Sequence, residues 1–381
     1  MTRIKKKHHL VAAVEAELLK QVRVHGRISR VELSRKLQIV PSTAGIYVDR
    51  LLRDGFLAES RRMERGAGRP PKLLELNAGG GRFVGVDFEA RNLMATAVDF
   101  SEKPLRQVHE VIRAADSVEQ ILGKIERAIA GVMAGDPRPV LGIGVGVPGL
   151  VDPQHGVAVH YEFIKGWRDV PLGARLNKIF HVPVFLENNI RCMTLAELWL
   201  GAGRGLRDFV CLGVRSGIAA GVMANGHLLR GCHNRAGEIG HWRCPSPGDA
   251  RLEQTASALA ILAAAQRAIG SGRKTSLPKS KGELTFDDIV QAVQAGDALA
   301  RSLIEDAARV HGWAVGELVA LFDPQKIIFA GPLAELGEAF LAPVRKAAAV
   351  DGVEITASTL GRYNGALGAA ALALHQWRPQ R

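Results

Sequence analysis

From Arg82 onward the chain alternates Val- and Gly-rich runs of strand character with segments of helical periodicity. Phe83-Val84-Gly85-Val86-Asp87 and Leu93 to Phe100 read as a strand pair, Val118 to Met133 as a helix, and Val140 to Val147 as a buried strand closed by the turn Pro148-Gly149-Leu150-Val151-Asp152. Interleaving of this kind predicts an α/β architecture. With 381 residues and 47% hydrophobic content, the chain has length for two or three cores. No apolar run approaches the roughly eighteen residues that span a bilayer. The stretch behind Lys5-Lys6-Lys7 is interrupted by Glu15 and Glu17, so it lacks the apolar region of a signal peptide. Cys192, Cys211, Cys232 and Cys244 are scattered without a CxxC pair, which argues for a reducing compartment. A cytoplasmic protein without membrane contact is expected.

The formal charge of +12 sits mostly at one end: residues 1–76 hold 17 Lys and Arg against 8 Asp and Glu, a net +9. A basic small domain on a nearly neutral large one points to a polyanion, most simply double-stranded DNA. Val11, Val14, Leu18, Leu19 and Val22 make an amphipathic first helix ending near His25-Gly26. Ser29-Arg30-Val31-Glu32 is a capping box opening a second helix through Leu37, and Pro41 suits the first turn of a third that runs to about Asp54. The third helix buries Ala44, Val48, Leu51 and Leu52, leaving Ser42, Thr43, Ile46, Tyr47, Arg50 and Arg53 as outward candidates for DNA. Ser42 and Thr43 suit bases or phosphates, Ile46 a thymine methyl, and Arg50 or Arg53 a phosphate. Gly55-Phe56-Leu57, the basic stretch Arg61 to Lys72 and Leu74-Glu75-Leu76 read as the wing of a winged helix-turn-helix over 1–76. Within that stretch Gly68-Arg69-Pro70 resembles a minor-groove hook, with Arg69 entering the groove.

A polar knot, Phe185-Leu186-Glu187-Asn188-Asn189-Ile190-Arg191, separates an apolar run from the helical pattern Met193 to Leu200. Here the chain resembles the ROK family of sugar kinases and sugar-responsive repressors, in which the matching stretch reads Glu-Asn-Asp and the aspartate is the catalytic base. An amide at Asn189 can hydrogen-bond a sugar hydroxyl but cannot accept its proton at neutral pH. Ala236-Gly237-Glu238-Ile239-Gly240-His241, Arg251-Leu252-Glu253 and Gly365-Ala366-Leu367-Gly368-Ala369-Ala370 match further family signatures. The resemblance runs from about residue 10 to the end. It implies a two-lobed actin-like (ribonuclease H-like) sugar-kinase fold, with lobes over 82–187, completed by 361–381, and 188–360.

By the same resemblance Asn188, Asn189, Glu238, His241 and Glu253 would grip the hydroxyls of a sugar or sugar phosphate, and the protein would be a homo-oligomer, dimer or tetramer. The family's first phosphate turn, Asp-x-Gly, here reads Asp87-Phe88-Glu89, placing a carboxylate where a polyphosphate would approach. The second, Gly-Thr-Gly-Ile-Gly, reads Arg215-Ser216-Gly217-Ile218-Ala219. The family's Asn-Leu before a tryptophan, another sugar contact, is Phe163-Ile164-Lys165-Gly166-Trp167. Of its zinc ligands only His241 and Cys244 remain, too few for a four-coordinate site. Neither a metal nor a cofactor is expected. The leading expectation is a DNA-binding regulator, acting as a repressor in the manner of the family's regulatory branch, with no enzymatic activity. The rival readings are an active ATP-dependent carbohydrate kinase carrying a DNA-binding domain, and a regulator that senses a non-sugar ligand or a protein partner.

Overall fold

The structure, a computed structural model, describes residues 3–61, 72–245, 250–278 and 284–379. At the N-terminal end α1 (Arg3–His25), β1 (Ile28–Ser29), α2 (Arg30–Leu37), α3 (Pro41–Arg53), β2 (Leu57–Arg61) and β3 (Lys72–Leu76) form three helices against a small antiparallel sheet of order β1-β3-β2. The capping box forms as its sequence dictates: Ser29 Oγ accepts from Glu32 N at 3.2 Å, and Ser29 N donates to the Glu32 carboxylate at 2.9 Å. Gln38, at φ +54°, ends α2 in the left-handed region, and Pro41 begins α3 three residues later.

Two five-stranded sheets follow. In the first, β4 (Arg82–Phe88), β5 (Asn92–Asp99) and β6 (Pro104–Val111) form an antiparallel meander. Through α4 (Val118–Met133) the chain crosses to β7 (Val140–Val147), parallel to β4. It then passes a three-stranded flap of β8 (Leu150–Asp152), β9 (Val157–His160) and β10 (Arg168–Val170), and α5 (Leu172–Phe180), to reach β11 (Val184–Asn188), parallel to β7. After α6 (Asn189–Leu200) the second sheet repeats the scheme with β12 (Phe209–Val214), β13 (Ile218–Ala224) and β14 (His227–Leu228). Helices α7 (Leu252–Ala256), α8 (Ala258–Gly270), α9 (Phe286–Gln294) and α10 (Ala298–Phe322) precede β15 (Lys326–Ala330), which pairs parallel with β12, and α11 (Glu338–Ala348) precedes β16 (Glu354–Ala357), which pairs parallel with β15. The orders are β11-β7-β4-β5-β6 and β14-β13-β12-β15-β16. Numbered from its own first strand, each sheet therefore runs 3-2-1-4-5 with the same strand directions.

The last helix, α12 (Asn364–Gln376), returns to the first sheet and lies against β4 and β7. Its closeness depends on missing side chains: a Cβ on Gly85 would stand 1.9 Å from Ala366 O, and one on Gly144 1.8 Å from Ala369 O. Each sheet has its own core, around Ile125, Val145 and Leu176 in the first and Leu212, Ile304 and Phe340 in the second. A third core joins the N-terminal unit to the first sheet. Leu18, Val22, Val48, Leu51 and Leu74 belong to one cluster with Phe83, Phe100, Leu374 and Trp377, and the Phe56 ring stacks on Phe100 at 5.2 Å and meets Trp377 edge-on at 5.0 Å. Among the described residues no helix is long and apolar enough to cross a membrane.

Candidate functional site

A cleft of about 550 Å³ opens between the two sheets, and all five side chains expected to grip a sugar line it: Asn188, Asn189, Glu238, His241 and Glu253. Asn188 ends β11 and caps α6, its Oδ1 accepting from Ile190 N at 3.0 Å while its Nδ2 donates to Gly149 O at 2.8 Å. Both ends of this amide are thus engaged in holding the strand-to-helix junction. Asn189 is half-buried in the first turn of α6, and its side chain makes no hydrogen bond to another described residue. Beneath them Glu187 is the buried anchor. It accepts from Asn188 N, from Arg191 Nη1 and from Arg230 Nε, each at 2.8 Å, and Arg191 also donates to Asn234 O at 2.6 Å. One carboxylate thereby ties the α6 terminus to the loop that carries Glu238.

Glu238 and Glu253 have pKa values above the ordinary carboxylate value because burial disfavours their charged forms, with the neighbouring His241 opposing the shift. His241 Nε2 lies 3.6 Å from Glu253 Oε1. Such groups match sugar hydroxyls, which donate and accept at once. Glu162, Phe163, Arg168 and Arg235 also line the cleft. The flap and the 230–238 loop bring them there from positions with no local sequence signal, apart from the departure at Phe163.

The turns between β4 and β5 and between β12 and β13 meet at the cleft floor. Arg215 Nη1 and Nη2 donate to the two Asp87 oxygens at 2.5 and 3.2 Å. Beside this pair Glu89 accepts from the Ser216 hydroxyl and from Ser216 N, the latter at 3.3 Å, and its other oxygen accepts from Asn92 Nδ2 at 2.9 Å. Burial pushes the Asp87 carboxyl up and Arg215 opposes it. The expected repulsion at Glu89 is therefore accompanied by a direct bond to the facing turn.

The residues present do not fit the zinc site that the resemblance implies. Cys244 is buried, with Sγ 3.3 Å from Ala250 O and 3.5 Å from Thr255 Oγ1, while His241 faces the cleft with Glu162 and Glu253.

On α3, Ser42, Ile46 and Arg53 are exposed, Ile46 by 60%, and Thr43 is half-buried. Arg50 donates to the buried Glu15 of α1 at 3.1 Å and lies 5.8 Å over the Tyr47 ring, which itself packs against the core shared with the first sheet. A buried carboxylate needs a cation, and Arg50 supplies one to Glu15 while its side chain stays partly exposed. Arg69 and its Gly-Arg-Pro segment lie outside the described residues. Arg35 and Lys36 are exposed in the last turn of α2 and belong to no capping or hook motif in the sequence.

Residues 83–376 match the family model described as the ROK family. The xylose repressor of Caldicellulosiruptor bescii is 27% identical over 342 residues, covering 86% of this chain and 85% of its own. A ROK-family glucokinase from Streptomyces griseus, solved with glucose and AMPPNP, superposes with a TM-score of 0.70 at 27% identity, over 77% of this chain and 99% of its own. A ROK-family transcriptional regulator described as a homologue of the Escherichia coli Mlc protein superposes with a TM-score of 0.79 at 24% identity, over 97% and 96%.

Proposed function

The chain belongs to the ROK family, and from that premise we propose that it is a DNA-binding transcriptional regulator, a repressor, controlled by a sugar or sugar phosphate held in a catalytically inactive kinase-like domain. The N-terminal unit is read as a winged helix-turn-helix: α2 and α3 form the helix pair, Ser42, Thr43, Ile46 and Arg53 face the duplex, and β2 and β3 bound the wing that carries Arg69. A homo-oligomer sets two such helices on half-sites about one or more helical turns apart. The cleft groups Asn189, Glu238, His241 and Glu253 bind hydroxyls, with Asn188 supporting them from the helix cap.

One observation carries the inactive reading. The two turns that correspond to the phosphate loops of related kinases are closed on each other by Arg215–Asp87 and Ser216–Glu89, while the hydroxyl-binding groups surround an open cleft. Asn189 adds the lack of a general base, a loss worth about 10²- to 10⁴-fold in rate. The test is to sequence genomic fragments retained by the purified chain and titrate their release with a sugar panel. Glu238→Ala and His241→Ala should hold operator yet ignore the sugar. ATP-dependent phosphorylation of any sugar in that panel, lost on changing Asn189, overturns the inactive reading; an unaltered sugar response in both variants moves the effector elsewhere.

A further inference from the structure

Phe163 is the large apolar side chain exposed inside the cleft, with 39% of its surface open. Its position is fixed. Ile164 N donates to Tyr161 O at 3.4 Å and Trp167 N to Ile164 O at 3.1 Å, closing the turn on either side of the ring. Ile164 and Trp167 are sunk in the first core, Trp167 edge-on to Phe88 at 5.2 Å, and the Phe163 ring tilts against Tyr161 at 5.4 Å. The anchors go inward and the phenyl ring goes into the cleft, where water solvates it poorly.

The neighbours of the ring are the groups assigned to hydroxyls. A Cβ on Gly217 would stand 3.2 Å from Glu253 Oε2 and 3.8 Å from Phe163 Cε2, so carboxylate and ring flank the same backbone. Ligand atoms of Glu162, His241 and Glu253 lie within 4.8 Å of one another on this wall. A molecule that places hydroxyls on the carboxylates can rest an adjoining carbon on the ring. A hydroxyl at that carbon would be stripped of water with no partner on the phenyl side, whereas hydrogen or methyl would gain contact.

Resting on the proposed sugar-binding function, we propose that Phe163 sets effector selectivity: the effector is a sugar whose carbon facing this ring bears hydrogen or methyl instead of hydroxyl. The ring takes the place of an amide-bearing side chain in the family pattern, exchanging a hydroxyl contact for an apolar one. It acts on the ligand directly and not through the Arg215–Asp87 and Ser216–Glu89 bonds between the two turns.

The test is calorimetric titration of the full chain with parent sugars and their single-position deoxy analogues, for the wild type, Phe163→Asn and Phe163→Leu. In the wild type one deoxy analogue should bind roughly tenfold or more tighter than its parent. Phe163→Asn should reverse that order, and Phe163→Leu should keep it at lower affinity. A wild type that binds the parent as tightly as every deoxy analogue overturns the proposal, as does a Phe163→Asn variant with unchanged preference. If no sugar binds the wild type, the sugar reading of the cleft fails and this proposal with it; if sugars bind and only the preference is missing, the sugar reading stands and the role of Phe163 falls.

Discussion

Removing one partner of the Asp87–Arg215 pair is a different perturbation from removing both. Arg215→Ala leaves a buried carboxylate without its cation, and the expected loss is about 3–5 kcal/mol in urea unfolding, whereas Asp87→Asn with Arg215→Met should cost less than the single change. A single variant as stable as the wild type would mean the pair is solvated and holds the two turns loosely. His311 in α10 gives a pH test. Its ring is fully buried between Phe329 and Phe340, Nε2 lies 3.0 Å from Ala256 O, and burial lowers its pKa from 6.5 to about 4. Between those values the unfolded chain binds the extra proton and the folded chain does not. Its stabilising contribution is complete above about 6.5 and is lost as pH falls toward 4, with a slope of at most about 1.4 kcal/mol per pH unit. His311→Gln, which keeps a donor for the carbonyl, should flatten the profile in that window; unfolding midpoints from pH 7 to 4.5 that fall equally in both proteins assign the slope to other groups.

Helix α6 begins at the cleft with Asn189 and ends beside the N-terminal unit. Near its end Trp199 stacks on His375 of α12 at 3.8 Å and 8°. His375 Nε2 is 3.3 Å from Glu102 Oε1, which is 3.1 Å from Arg23 Nε of α1; these are ion-pair distances without hydrogen-bond alignment. A displacement of α6 by a bound effector would therefore reach α1 through packed groups. Trp199→Ala is expected to leave sugar and operator affinities within a few-fold when each is measured alone, and to reduce the effect of one on the other. Undiminished coupling in that variant excludes this route. Elements of this kind were legible where their cause is local: the Ser29–Glu32 box, Pro41 at the start of α3 and the buried stripe Ala44, Val48 and Leu51 all appear in the sequence. The Arg50–Glu15 bond, 35 residues apart, and the Arg215–Asp87 bond, 128 residues apart, leave no local trace. The cleft positions of Asn188, Asn189, Glu238, His241 and Glu253 follow from family signatures, while Glu162, Arg168 and Arg235 depend on how the flap and loops fold over the cleft.

At the scale of the molecule, the N-terminal unit shares a core with the first sheet, so Phe56, Phe100 and Trp377 pack as one cluster. A fragment of residues 1–81 would expose its half of that cluster and is expected to lack a cooperative unfolding transition in calorimetry; a sharp, reversible transition would show a self-sufficient domain. The same continuity predicts that sugar and operator weaken each other's binding by one common factor, roughly 5- to 150-fold, as a closed linkage cycle requires. Titrating each ligand in the presence of the other checks it, and sugar that tightens operator binding would reverse the sign. The repeated 3-2-1-4-5 topology has a further consequence. Each sheet presents its first hairpin turn to the other, one bearing Asp87 and Glu89, the other Arg215 and Ser216. Two identical halves brought together in this way would set acid against acid or base against base. Opposite charging of equivalent turns gives the halves a polarity, like plug and socket, and makes each a poor substitute for the other.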